Sequence, residues 1–262
     1  MKKKYKIFML ASIVALSAIA LAGCGNKAET NTNATKELKI LHVGTNATYV
    51  PFEFVEGGKD SDKTYKGFDM ELSEEIAKRL GMKLEINNTP FDGLIMALQS
   101  KKIDMIASGM VITPERSEKV TFIPYYDSGL GILVNKNITD VNSVNDLKGK
   151  RVAVQMGTTG SVAAHKIEGI AEIREFDHNA EALLELKQGN VDAVLTAIPV
   201  AKYYLKTVPD SNAKLVESPI TKQTLGLGIN KDDKELTEKV QKAFNEIKAD
   251  GTYDKLMKKW FE

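Results

Sequence analysis

Ala97-Leu98-Gln99-Ser100-Lys101-Lys102-Ile103-Asp104-Met105-Ile106 ends a helical pattern and starts a buried strand. Glu185-Leu186-Lys187-Gln188-Gly189-Asn190-Val191-Asp192-Ala193-Val194 does the same later in the chain. Each runs helix end, polar turn, β-branched residue, aspartate, apolar strand. A unit met twice in one chain points to two similar α/β lobes facing each other, although helix-turn-strand units recur in many α/β folds.

The surroundings of the first unit fit a parallel sheet. Leu38 to Gly44 reads as a strand, and Met82 to Asn87 as another. Between them Met70, Leu72, Ile76, Ala77 and Leu80 make the apolar face of a helix from Phe68 to Leu80, closed by Gly81. A helix over Gly93 to Leu98 leads to a strand over Ile103 to Ala107. This β-α-β-α-β order predicts parallel strands with helices on the sheet faces. Tyr126 to Val134 and Thr224 to Asn230 read as strands interrupted by Gly129, Gly131, Gly226 and Gly228. Glycine weakens a strand and permits bending, so these two segments are expected to form the hinge. The expected lobes are 38–130 with a return segment 225–262, and 131–224. Helices over Asp232 to Lys248 and Thr252 to Trp260 would bring the chain back to the first lobe.

The N-terminus bears on compartment. Lys2, Lys3, Lys4 and Lys6 precede an apolar run from Ile7 to Ala22 that only Ser12 and Ser17 interrupt. That is a secretory signal pattern; a membrane anchor is the alternative, but the run is short and lacks a basic flank after it. Residues 1–23 are therefore set apart as a signal peptide. Cys24, in Leu21-Ala22-Gly23-Cys24, is the only cysteine, so no internal disulfide exists. It resembles the lipidated cysteine of a bacterial lipoprotein signal, with a free thiol as the alternative. Residues 24–37 are polar and non-periodic and read as a tether.

Removing the four signal lysines leaves 32 basic residues against 35 acidic ones, a charge of about −3. With no basic excess, nucleic acid is not an expected partner. The three histidines show no metal-ligand spacing and sit beside no nucleophile in a familiar motif, so no metal, cofactor or enzyme activity is expected.

Three segments carry candidate chemistry. In Thr113-Pro114-Glu115-Arg116, Thr113 can cap a helix, Pro114 suits its first position, and Arg116 opposes the helix dipole. A guanidinium placed there fits a ligand carboxylate; an exposed arginine paired with Glu115 or Glu118 reads equally well. Gly157-Thr158-Thr159-Gly160-Ser161 joins a strand, Arg151 to Gln155, to a helical stretch. Its backbone N–H groups could face an anion, or it could be an ordinary turn. It lacks the Gly-Lys-Ser/Thr ending of a phosphate loop, which favours carboxylate over phosphate. Thr45 to Phe52 leaves the first strand at its C-terminal end, where open α/β sheets bind ligands. Tyr49, Phe52 and Phe91 could wall an apolar ligand part or serve lobe packing, the second being favoured for Phe52. Asn46 and Gln155 leave strand ends and could touch a ligand side chain.

Val50-Pro51-Phe52-Glu53-Phe54, Gly67-Phe68-Asp69, Ile112-Thr113-Pro114-Glu115-Arg116, Gly157-Thr158-Thr159-Gly160 and Gly251-Thr252-Tyr253, in this order, resemble the polar amino-acid-binding proteins of bacterial ABC transporters. The resemblance covers the chain after residue 38. It implies two Rossmann-like lobes joined by a two-strand hinge, the periplasmic-binding-protein type II fold, closing on an amino acid. Arg116 would grip the α-carboxylate, with the N–H groups of Val111 and Thr159, beside Thr158. The Gly109 carbonyl would take the α-ammonium, Phe91 and Tyr49 would sandwich the side chain, and Asn46, Ser108 and Gln155 would read its polar end.

Two positions depart from the pattern. Val111 stands where the family usually has serine or threonine. Ala197 stands where it commonly carries the aspartate that pairs with the ammonium. A buried ammonium without a counter-charge is costly. Either Thr196 with the Gly109 carbonyl substitutes, or the ligand is a carboxylate lacking that ammonium. Asn46 and Gln155 are neutral, which favours an uncharged ligand side chain. The expected partners are a small ligand, an ABC permease and the membrane, through the lipid, on the outer face of the cell membrane or its periplasmic face. A monomer is expected. The alternatives are a dehydratase-like enzyme on the same fold and a sensor for a membrane partner.

Overall fold

Gly67 and Gly81 frame the first helix for different physical reasons. A Cβ on Gly67, at φ 121°, would sit on the carbonyl of Phe52. Gly81 adopts φ 64° and donates its N–H to the last-turn carbonyls of Ala77 and Lys78. Helix α1 (Phe68–Leu80) buries Met70, Leu72, Ile76 and Ala77 of the face foreseen from spacing, leaves Leu80 half-buried, and buries Phe68 as well. The computed structural model describes residues 38–57, 63–216 and 219–262; the signal segment, tether and Cys24 lie outside the described residues.

Strand β1 (Ile40–Thr45) is followed by a small antiparallel sheet of β2 (Thr48–Tyr49), β3 (Glu53–Glu56) and β4 (Thr64–Lys66). After α1 come β5 (Lys83–Asn88), α2 (Leu94–Gln99), β6 (Met105–Ile106), α3 (Pro114–Ser117) and β7 (Val120–Asn135). The later half carries β8 (Arg151–Gln155), α4 (Thr159–Lys166), β9 (Glu172–Phe176), α5 (Asn179–Gln188), β10 (Ala193–Ala197), α6 (Ile198–Thr207) and β11 (Ala213–Leu215). It ends with β12 (Thr221–Asn230), α7 (Lys234–Ala249) and α8 (Thr252–Phe261).

The large sheet runs β5-β1-β6-β12-β7-β10-β8-β9, with β11 beside β7. Around β1 the neighbours are parallel, with Val43 opposite both Ile86 and Met105. Around β8 they are parallel again, with Val152 opposite Ile173 and Ala193. Both halves thus place their first strand between the second and the third. The repeated aspartates explain the shared register. Asp104 accepts the N–H of His42 at 2.8 Å, and Asp192 accepts that of Arg151 at 2.7 Å. Each carboxylate ties the start of its strand to the first strand of its unit.

Strands β7 and β12 pair antiparallel over their length, with a bulge at Leu225/Gly226. They are longer than the sequence pattern foresaw, because Val120 to Tyr125 also joins the ladder. These glycines also make room for neighbouring side chains. A Cβ on Gly226 would lie 2.9 Å from Ile112 and 3.0 Å from Phe122, and one on Gly131 would lie 3.0 Å from Ile198. The strand expected over Ile103 to Ala107 is regular only at Met105–Ile106, although Asp104 and Ala107 still donate their N–H groups to the carbonyls of His42 and Gly44.

The two largest apolar cores sit mainly in different halves, although Ala197 and Val200 of the later half pack into the first. One surrounds Phe52, Phe68, Leu72, Ile76, Leu227 and Phe244; the other surrounds Ile132, Val152, Val154 and Leu195. Phe52 is fully buried, so its role is packing. The return helices join the first core: the Phe261 ring lies 5.1 Å from Phe52, 5.3 Å from Phe68 and 4.6 Å from Tyr126. Each such ring pair contributes roughly 0.5–1.5 kcal/mol beyond area burial, enough to hold α8 there.

Candidate functional site

A cleft opens where the loops after β1, β6 and β8 meet the end of β10. Asn46, Tyr49, Phe91, Ser108, Gly109, Val111, Arg116, Gln155, Thr158, Thr159 and Thr196, all singled out from sequence, line this one cavity. Glu53, Leu130, Gly160, Asn179, Leu195, Ala197 and Gln223 complete it. With its mouth it encloses about 470 Å³ of empty space, of which about 30 Å³ admits the centre of a water molecule. The lobes are closed on each other.

Arg116 sits in a single helical turn, shorter than its start signals suggest. Thr113 caps it by accepting the Arg116 N–H at 3.2 Å. The guanidinium turns away from Glu115 and Glu118 and forms no ion pair among the described residues. It donates to the carbonyls of Val111 at 2.6 Å and Gly157 at 2.9 Å, and its centre lies 5.4 Å from the Phe91 ring. Desolvation lowers its pKa to about 10. A half-buried cation held by neutral carbonyls and a ring has capacity left for an anion.

The opposite wall carries the turn at Gly157. Thr158 caps α4 by accepting the Ser161 N–H at 3.2 Å, and its hydroxyl donates to the Gln155 carbonyl at 2.7 Å. This fixes the turn and leaves the first N–H groups of α4 at the cleft edge. The Thr159 hydroxyl accepts from Gln223 Nε2 at 2.8 Å.

Asn46 and Gln155 meet across the cleft, Gln155 Nε2 donating to Asn46 Oδ1 at 3.0 Å. Asn46 also accepts from Thr48, donates to the Thr89 carbonyl, and lies 3.2 Å from His178 Nδ1. Its amide capacity is therefore taken up by protein groups in this closed form. Tyr49 bridges the lobes as well: its hydroxyl accepts the Ala197 N–H at 3.1 Å and lies 3.5 Å from Thr196 Oγ1. Thr196 donates to Asn179 Oδ1 at 3.0 Å, while Asn179 Nδ2 is buried without a partner.

Sequence reasoning missed Glu53, Asn179 and Gln223 as cleft groups, and His178 as a neighbour of Asn46. Glu53 was visible inside a recognised motif. Its inward position in β3, between apolar Phe52 and Phe54, was the usable signal. His178 precedes a helix, and only the closure of the lobes brings it to Asn46.

Glu53 is 1% exposed. Its Oε1 accepts from Ser108 Oγ at 3.2 Å, and Ser108 Oγ in turn accepts the Asn46 N–H at 2.9 Å. Burial, then the negative charge of Asp69, push the Glu53 carboxyl well above the usual range. Asp69 is fully buried and accepts the Gly109 N–H at 2.8 Å and the Tyr125 hydroxyl at 2.7 Å. Burial pushes its pKa up to about 6, against the lowering effect of those donors.

The sequence profile of bacterial extracellular solute-binding proteins, family 3, matches residues 41–262. The arginine-binding extracellular protein ArtP of Bacillus subtilis (strain 168) is 33% identical over 98% of this chain and 98% of its own length. Among solved structures, an ancestral arginine-binding protein bound to arginine superposes with a TM-score of 0.80 at 43% identity, covering 85% of this chain and 98% of that one. An ancestral amino acid-binding protein, a precursor of cyclohexadienyl dehydratase, gives 0.77 at 45% identity, covering 85% and 96%. Taken with the bilobal sheet and the cleft, these likenesses place the chain in that family: it is a bacterial extracellular solute-binding protein of family 3.

Proposed function

We propose that the chain is the substrate-binding lipoprotein of an ABC importer and closes its two lobes on an amino acid with an uncharged, polar side chain. The observation that carries the reading is Arg116, a cation in the cleft with no acidic partner among the described residues. It takes the α-carboxylate, helped by backbone N–H groups of Val111 and Thr159. Tyr49 and Phe91 cover the ligand's apolar part. Ser108 and Gln155, with the unpartnered amide nitrogen of Asn179, meet its polar end, and Asn46 joins them when its bonds to Gln155 and His178 give way to the ligand. The relatives named for binding arginine, and the ancestral amino acid-binding protein, support the amino-acid class. Strands β7 and β12 serve as the hinge, and Cys24 carries the lipid that keeps the protein beside its permease.

A second reading, a carboxylate without the ammonium, is favoured by one observation. Ala197 lines the wall with a methyl group and a backbone N–H already given to Tyr49. Thermal unfolding of residues 25–262 against single L-amino acids and matched amine-free acids tests both. A ligand at 100 times its Kd adds about 2.7 kcal/mol. A clear shift with an amino acid upholds the first reading, a shift only with amine-free acids the second. No shift with either set removes both and turns attention to turnover of such acids.

A further inference from the structure

Two buried carboxyls lie beneath the cleft, and each has one oxygen without a hydrogen-bond donor among the described residues. Glu53 Oε1 is held by Ser108, and Asp69 Oδ2 by Gly109 and Tyr125. Glu53 Oε2 and Asp69 Oδ1 are both buried without a donor. Both side chains gather at Gly109: Asp69 accepts its N–H at 2.8 Å, and a Cβ built there would lie 3.7 Å from Glu53 Oε1. Two buried carboxylates side by side cannot both carry full charge cheaply, whereas one shared proton satisfies both orphan oxygens.

The groups facing this pair supply no cation. Tyr49 comes from β2, Tyr125 from β7 and Tyr253 from α8, and burial holds all three phenols above their ordinary values. Arg116 lines the same cavity, but its hydrogen bonds among the described residues go to the carbonyls of Val111 and Gly157 and none goes to this pair. Glu53 is thus the only acidic side chain among the cleft-lining residues, as Arg116 is the only basic one. A Cβ built on Gly109 would lie 3.7 Å from Glu53 Oε1, so the carboxyl sits directly under the Gly109 backbone.

We infer that Glu53, sharing a proton with Asp69 in the ligand-free protein, is the counter-charge for the ligand's ammonium group and gives that proton to solvent when the ligand binds. The inference rests on the amino-acid reading of the cleft. Proton and charge balance: the incoming ammonium replaces the shared proton as the positive partner, and the proton leaves to buffer. Asp69 keeps its two donors throughout, so Glu53 is the carboxylate free to change partner. The sign of the pH dependence follows. Binding that releases a proton weakens as pH falls, by up to about tenfold in Kd per pH unit where the free pair is protonated. Without ligand the raised carboxyl favours the folded state below its unfolded pKa, and that contribution is lost as pH rises through the folded value.

Titration calorimetry on residues 25–262 tests this, using as probe whichever L-amino acid gives the largest thermal shift, in buffers of differing ionisation enthalpy. The expected result is release of about one proton per ligand near pH 7, and a Kd that falls between about pH 5.5 and pH 8. Glu53→Gln keeps the acceptor for Ser108, abolishes the release, and raises Kd at least about 30-fold, the scale of a lost buried charge partner. Ligand-free, this variant is at least as stable as wild type at about pH 8. Binding of an amino acid with no proton release by the wild-type protein overturns the inference and leaves the amino-acid reading standing. That result needs no variant to fold. Binding only of amine-free acids, or of neither class, overturns the inference together with the amino-acid reading.

Discussion

The two halves of the sheet share one plan and differ at the surfaces they turn to the cleft. In each, a first strand lies between its second and third, locked by an aspartate at the start of the third. The first half then presents an arginine, a buried glutamate and two aromatic rings. The second presents only uncharged groups: Gln155, Thr158, Thr159, Asn179 and Thr196. The lesson is a division of labour. The charged side chains of the cleft stand on one scaffold half, and the other lines it with amides, hydroxyls and backbone N–H groups, which are buried at lower desolvation cost than ions.

Arg116→Ala tests the difference between the walls most severely. Removing the one cleft cation is expected to weaken amino-acid binding by roughly 2–5 kcal/mol, because the ligand carboxylate would then be buried unpaired. Ligand-free stability should change by less than about 1 kcal/mol, since Arg116 now satisfies only neutral carbonyls. Calorimetry with denaturant unfolding separates the two effects, and equal losses in both would reduce Arg116 to a structural residue.

The shared plan is tested by Asp104→Ala beside Asp192→Ala. Asp192 also takes the Arg151 guanidinium, at 2.7 Å and 3.2 Å, which Asp104 has no counterpart for. Loss of roughly 2–3 kcal/mol is expected at Asp192 and roughly 1–2 kcal/mol at Asp104 by urea unfolding. Its bonds with Arg151 hold the Asp192 carboxyl below the usual range. That stabilisation is present above the unfolded carboxylate pKa and is lost as pH falls through the folded one. The deficit of Asp192→Ala should therefore shrink below about pH 4. A constant deficit would assign the effect to packing.

The smallest effect concerns the bridge between the walls. Tyr49→Phe removes the acceptor for the Ala197 N–H and keeps the ring. It should weaken binding by roughly 0.5–1.5 kcal/mol with little change in the melting of the ligand-free protein. Unchanged affinity would mean that the ring alone matters there.

Much of the plan was legible because it is local. The helix from Phe68 to Leu80, its stop at Gly81, the cap at Thr113 and the aspartate-marked strand starts depend on neighbours a few residues away. All eleven cleft residues selected from sequence lie around one cavity; Asn46 and Gln155 were legible from their strand ends, whereas Ser108, Gly109 and Val111 came from the family resemblance. The close approach of Ile112 to Gly226 and of Ile198 to Gly131 was not legible, because those side chains come from elements distant in sequence.

The sequence by itself determined the α/β class, the repeated unit and the strand ends that carry chemistry, because periodicity, capping and turn residues act over short distances. Only the tertiary structure decided which charges stay unpaired. It placed Arg116 against the Gly157 carbonyl instead of Glu115 or Glu118, brought His178 to Asn46, and sealed Glu53 with Asp69 under the cleft floor. The physical reason is desolvation: the cost of a charge depends on every group packed around it, and those groups come from all along the chain.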